Sequence, residues 1–200
     1  MAKPHTPLSL LQLETREHQM EVLRDDGLYR HLRFARPGTG IWRFDLVTWP
    51  GHLVITGDIE NFHFARLPDM FEFFRSPPGY INPGYWAEKL RGPLRYESHS
   101  PDAVKRHVYE AFRDSCVWWE DPKAPLWRDI CDQILTEDVI HDETTTHLAL
   151  RDFRHTSENG RRFEFTDTWE WRFKEYDWHF LVSLHAIVWG IDQYDKARAS

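Results

Sequence analysis

Trp42-Arg43-Phe44-Asp45-Leu46-Val47-Thr48-Trp49, a Pro50-Gly51 break, then His52-Leu53-Val54-Ile55-Thr56-Gly57-Asp58: the reading of this stretch decides the fold. Trp42, Phe44 and Leu46 alternate with Arg43 and Asp45, and beyond the break Leu53 and Ile55 share parity with Gly57. Such alternation marks strands with one buried face. Setting Trp49 opposite His52 places Leu46 against Ile55 and Phe44 against Gly57. Setting Gly57 opposite Phe62 then places Ile55 against Phe64, and His63 against Thr56. Both pairings put Trp42, Phe44, Leu46, Leu53, Ile55, Phe62 and Phe64 on one face, which a one-residue slip would reverse. A Pro-Gly pair is not the primed turn that two-residue hairpins prefer, which leaves a longer or bulged connection open.

Outward from this hairpin, residues 28–34 carry Leu28, Leu32 and Phe34 on one parity, which extends the meander over about 28–65. Upstream, Leu13, Met20 and Leu23 near helical spacing predict a helix over 13–26, stopped by Asp25-Asp26-Gly27. Residues 1–12, with Pro4 and Pro7, read as a loose N-terminal leader. Downstream the pattern turns helical. Pro68 at the first helical position opens a short helix through Phe74, and Asn82-Pro83 opens another towards Leu90. A strand is expected near 94–97. Ser100-Pro101 caps a helix through Phe112. Helices follow over 125–136 and 142–154, with an extended segment over 161–166. The last helix, about 175–196, has apolar residues round much of its circumference, the mark of a centrally buried helix. The predicted architecture is α+β, with an antiparallel meander packed against segregated helices and residues 13–200 forming a single domain.

Composition narrows the classes. The 200 residues include 30 aromatics (13 Phe, 10 Trp, 7 Tyr), far from the make-up of a disordered chain. No apolar run reaches the length of a membrane span. The first residues lack a signal-peptide pattern, and two cysteines, Cys116 and Cys131, make no disulfide framework, so a cytoplasmic location is expected. With 32 acidic and 25 basic residues the formal charge is −7. That disfavours a general nucleic-acid coat, although a local basic groove remains open.

Walker A, GxGxxG, GxSxG and HExxH motifs are absent. Pro37-Gly38-Thr39-Gly40 lies between strands, so it reads as a turn rather than a phosphate cradle. The cysteines have no CxxC around them, and no cofactor or metal is assigned. Four Glu–His pairs stand at i,i+4: Glu14–His18, Glu137–His141, Glu143–His147 and Glu175–His179. Helix-face pairing explains this spacing, whereas carboxylate-bridged metals use Glu-x-x-His at i,i+3. His52, Asp58 and His63 near one hairpin are the leading acid–base candidates, without a nucleophile to complete them. Pro101-Asp102 with Asp121-Pro122-Lys123 spells a loose metal-nuclease pattern, yet Asp102 falls in a helix's first turn, where an acid complements the dipole.

The run from Trp42 to Asp58 resembles a family of proteins encoded by bacteriophages and prophages. So do Asp69-Met70-Phe71-Glu72-Phe73-Phe74, Ile81-Asn82-Pro83-Gly84-Tyr85-Trp86-Ala87-Glu88-Lys89-Leu90 and Ala186-Ile187-Val188-Trp189-Gly190-Ile191. The resemblance implies a phage protein acting inside a bacterial cell and carries no catalytic residues over.

Two function classes follow. The first is a binding protein that inhibits a host factor, such as a defence complex made of protein or of protein and nucleic acid. Its partner-binding residues are expected among Trp118, Trp119, Glu120 and Asp121, and among Trp169, Glu170 and Trp171, because exposed aromatics anchor interfaces. Adjacent Trp118 and Trp119 must point opposite ways, and Trp169-Glu170-Trp171-Arg172-Phe173 alternates as an extended segment would. The alternative is a metal-dependent hydrolase or nuclease serving phage DNA metabolism.

Overall fold

The meander starts one strand earlier than the alternation predicts. In the computed structural model, which describes residues 5–92 and 95–199, helix α1 (Pro7–Thr15) leads into β1 (Gln19–Asp26), β2 (Tyr29–Ala35), β3 (Phe44–Trp49), β4 (His52–Gly57) and β5 (Phe62–Ala65). The five strands form one antiparallel sheet in chain order. Helices α2 (Met70–Phe74) and α3 (Pro83–Ala87) follow. Then come β6 (Glu97–His99), α4 (Pro101–Ser115), α5 (Lys123–Gln133), α6 (Glu137–Ile140) and α7 (Glu143–Asp152). Strands β7 (His155–Thr156) and β8 (Arg162–Phe163), a 3-10 turn at Thr168–Glu170, β9 (Lys174–Tyr176) and helix α8 (Trp178–Ala199) complete the chain. The fold is α+β, as the sequence predicts.

The predicted helix over 13–26 is corrected to the end of α1 and the edge strand β1. That strand is exposed along almost its whole length and bulged between Val22 and Arg24, so no buried face imposes a period of two on its sequence. Its charged residues suit a sheet edge. Asp26-Gly27 is a hairpin turn rather than a helix stop, with φ +60° at Gly27, the first of the two loop residues. The predicted leader is corrected too. From Pro7 onward it is helix α1, capped by the Thr6 side chain accepting from the Ser9 amide, with Leu11 buried. Residues 1–4 lie outside the described residues, as does Leu94 at the start of the strand expected near 94–97. Pro68 precedes the true cap of α2, Asp69.

Between β3 and β4 the observed pairs are Trp49 with His52, Leu46 with Ile55 and Phe44 with Gly57, as expected, across a turn with φ +84° at Gly51. Pro at the first central position and positive φ at the second is the type II pattern. Between β4 and β5 the register differs by two residues: Ile55 faces Phe62, Leu53 faces Phe64, and His63 faces Val54. Residues beyond Thr56 remain bound to the β3 side. The Asp58 amide donates to the Arg43 carbonyl at 2.8 Å, and the Asp58 carboxylate accepts from the Trp42 amide at 2.7 Å. A two-residue shift preserves parity, so the predicted face stands for Phe44, Leu46, Leu53, Ile55, Phe62 and Phe64, whereas Trp42 lies before β3 with φ +60° and is only partly buried.

The chain divides into two compact units, residues 1–96 with 176–200, and residues 97–175. No low-complexity segment or clean linker marks the division, which is why the sequence reads as one domain. In the first unit Leu32, Phe34, Phe44, Leu46, Leu53, Ile55, Phe62 and Phe64 are buried beneath the helices. The described second unit has its own core of Val104, Val108, Trp119, Leu126, Ile130, Phe163 and their neighbours.

Helix α8 is buried over most of its middle, including Phe180, Leu184, Ile187, Val188 and Ile191. It meets the sheet at Gly190, where a Cβ would stand 2.8 Å from Leu46 Cδ1 and 3.1 Å from the Phe34 ring. Trp189 packs edge-on against Phe34 and Phe44, at 5.3 and 6.1 Å. At the other end of this layer, Arg30 makes a bidentate pair with Asp69 at 2.8 and 2.9 Å and lies over the Phe71 ring at 4.6 Å. Burial works to raise the Asp69 pKa, but the Arg30 guanidinium and the Phe71 amide outweigh it and hold the carboxyl below its ordinary value.

Gly190→Val should lower stability by about 1–3 kcal/mol, read as a reduced Tm, since the added methyls overpack a contact already at its limit. Asp69→Asn keeps a capping side chain but strips the Arg30 charge of its partner, and should cost about 3 kcal/mol by denaturant titration. The wild-type advantage over Asp69→Asn should be complete above the ordinary aspartate pKa of about 4 and should vanish as pH falls through the lowered folded value.

Candidate functional site

Ser100 caps α4 as predicted, its hydroxyl accepting from the Ala103 amide at 3.1 Å. One face of that helix presents His107, Glu110, Ala111 and Asp114, at the three- and four-residue steps that align side chains on a helix. Together with Trp118 just beyond the helix, this face forms one wall of a groove of ≈ 520 Å³. Arg162 to Thr166 and Trp171 line the rest. Trp171 stacks on His107 at 5.5 Å, and Trp118 stacks on Phe163 at 6.4 Å. Glu110, Asp114 and Glu164 supply carboxylates against one guanidinium, Arg162. Asp114 is paired with Arg113, and Glu164 with Arg154. Glu110 and Arg162 make no ion pair among the described residues.

The groove gathers Trp118 and Trp171 from the two clusters singled out by sequence. The remaining candidates have other fates. Trp118 is 55% exposed and Trp119 only 3%, but the adjacent rings do not point opposite ways: the chain leaves α4 in a turn there, the two indoles meet edge-on at 5.9 Å, and both pack on Phe163. Trp119 belongs to the core, and its Nε1 lacks a hydrogen-bond partner among the described residues. Glu120 is exposed and pairs with Arg161. Asp121 is buried, accepting from the Ser157 hydroxyl at 2.6 Å and from the Asn159 amide; these bonds hold its carboxyl below the ordinary range. Trp169 is 77% exposed and lies, with Glu170, on the 3-10 turn rather than in the groove. The expected extended run over 169–173 is therefore broken at its start, because Asp167 takes a left-handed conformation (φ +53°) and winds the chain into that turn. His107, Glu110, Asp114, Arg162 and Glu164 escaped the sequence reading. The polar i,i+3,i+7 pattern of the first three was the available signal.

Charge is partitioned between the units. Residues 97–175 hold 18 acidic and 11 basic residues, a net of −7; the remainder holds 14 of each. The whole formal charge of the chain thus resides in the unit that carries the groove.

In the first unit, the sheet parity that buries Phe62 and Phe64 turns His52 and His63 to the opposite face, where His52 Nδ1 and His63 Nε2 lie 2.9 Å apart. Burial, then the neighbouring His52 and Arg91, push the His63 pKa down. Asp58 does not join them; it is taken up by the Trp42 amide. On the same face Asp45 accepts from His31 at 2.7 Å and from Arg33 at 2.9 and 3.1 Å. A second concavity of ≈ 570 Å³ includes Arg33, Arg36 and Arg43 beside the Pro37-Gly38-Thr39 turn.

The nuclease-like spelling is not assembled. Asp102 is exposed in the first turn of α4 near Lys105, Asp121 is committed as described, and no cluster of three or more metal-binding side chains occurs among the described residues. Of the four Glu–His pairs one forms, Glu137–His141 at 2.7 Å. His18 bonds the Trp42 carbonyl, His147 packs on Phe173 at 4.9 Å, and Glu175 binds Ser100 and Arg106. Both cysteines are free, and no helix among the described residues is long and apolar enough to cross a membrane.

The chain matches no family model, no curated protein and no solved structure.

Asp121→Asn should lower the Tm, because the Ser157 and Asn159 bonds lose their charged acceptor. A variant that melts like wild type would show that Asp121 is not structural.

Proposed function

We propose that this protein acts by binding, and that the groove of the acidic unit receives a cationic segment of its partner. The carrying observation is the convergence of Trp118 and Trp171 with Glu110, Asp114 and Glu164 in a unit bearing the full −7 charge. An Arg or Lys side chain laid against an exposed indole gains from the ring quadrupole, and nearby carboxylates strengthen its hold. Trp is also among the residues that most often dominate binding energy. The phage-family resemblance supplies the setting: a host protein or protein–nucleic-acid complex, such as a defence assembly, met inside the bacterial cell.

Titration with an arginine-rich peptide tests the chemistry directly. Trp118→Ala should weaken binding by about 2 kcal/mol, roughly thirty-fold, with an unchanged circular dichroism spectrum. Glu110→Lys should weaken it as well and reduce its dependence on salt. A host partner recovered from lysate should be retained by wild type and lost from the Trp118→Ala protein. Equal peptide affinity in wild type and both variants, or preference for an acidic peptide, would exclude this groove as the binding site.

A further inference from the structure

The outward face of the first unit's sheet holds a pair of imidazoles that neither the core nor the groove uses. His52 on β4 faces Ala65, and His63 on β5 faces Val54, so the two histidines are diagonal neighbours on one face. Trp49, directly opposite His52 across the hairpin, stacks on the His52 ring at 4.9 Å and 18°, and its ring centre is 5.5 Å from that of His63. The indole thereby fixes the plane of one imidazole, and the strands fix the separation of both. Each ring keeps one nitrogen turned towards the other, His52 Nδ1 to His63 Nε2 at 2.9 Å.

We infer that His52 Nδ1 and His63 Nε2 form a two-histidine site for a divalent transition-metal ion of the Cu²⁺ or Ni²⁺ type. Imidazole nitrogens bind such ions at about 2.0–2.1 Å. Two ligands at that distance subtending a right angle stand about 2.9 Å apart, whereas the tetrahedral angle of zinc needs about 3.4 Å. The observed spacing thus matches the cis positions of a tetragonal ion, and each ring need only turn so that its lone pair aims off the N···N line at the metal. A neutral imidazole has one protonated nitrogen and one lone pair, so binding requires only that both lone pairs face inward, with the protons on His52 Nε2 and His63 Nδ1. Water fills the other coordination positions. Arg91, whose guanidinium donates to the Ala65 carbonyl at 3.3 Å, lies close enough to His63 to oppose a cation and keeps the site weak.

The test is addition of one equivalent of Cu²⁺ to the tag-free full-length chain, followed by electron paramagnetic resonance and tryptophan fluorescence. An axial signal with nitrogen coupling and partial quenching are expected in wild type. Both should be lost in His52→Ala and in His63→Gln, and the quenched component should disappear in Trp49→Phe while the resonance signal stays. Ni²⁺ should follow Cu²⁺ in affinity and Zn²⁺ should be weaker than Cu²⁺. His141→Ala, which removes the exposed Glu137–His141 pair, should behave as wild type. Melting of each apo variant checks that the sheet is intact. Signals that survive both His52→Ala and His63→Gln, or that vanish in His141→Ala, overturn the assignment, as does a wild type that takes up no copper.

Discussion

The contact between α8 and the sheet at Gly190 is the constraint on which the first unit depends. With no side chain there, the helix backbone comes down onto Leu46 and Phe34, and Trp189 closes edge-on over Phe34 and Phe44. Everything else in that layer is arranged around this closeness. Leu32, Leu53, Ile55, Phe62 and Phe64 complete a face dry enough to accept the apolar middle of α8, and α1 and α2 also pack on that helix. Burial of such large side chains is the main source of stabilising free energy. The Arg30–Asp69 pair joins β2 to the cap of α2, and Arg75 with Asp195 joins the end of α2 to α8, so charged contacts fix positions that hydrophobic burial alone would leave loose.

The inner face of the sheet therefore dictates the outer one. A strand has only two sides, and once Phe62 and Phe64 turn inward, His63 turns outward; Leu53 and Ile55 do the same for His52 and Val54. The Arg33–Asp45–His31 cluster follows from the same rule, since Phe34 and Phe44 bury beside it. Stability and surface chemistry in this unit are two readings of one alternation.

The second unit works differently. Its aromatic core, with Trp119, Phe153 and Phe165 edge-on to Phe163 and Phe173 edge-on to Trp171, comes from short elements separated by turns. Because these elements are brief, some aromatics reach the surface: Trp118 beside Phe163, Trp171 beside His107. The groove is a by-product of how that core is capped, and the acids of α4 give it its sign.

Alternation over residues 42–58 was enough to predict the β3–β4 pairing and the buried face, because a period of two leaves little freedom once one side must be dry, while the α+β class also needed the helical patterns that follow Pro68. The Thr6-Pro7 cap of α1 lies outside any apolar periodicity, and β1 leaves no strand pattern in the sequence because an exposed edge strand has no dry side to impose one. The two-residue shift of β5 was beyond sequence, since it depends on Asp58 holding the Trp42 amide across the sheet. Likewise the sequence named Trp118 and Trp171 separately, but only tertiary packing set them in one groove with Glu110, Asp114 and Glu164, and only strand pairing brought His52 within hydrogen-bond distance of His63. Local periodicity fixes which way a side chain faces; which distant side chain it meets is decided by the fold as a whole.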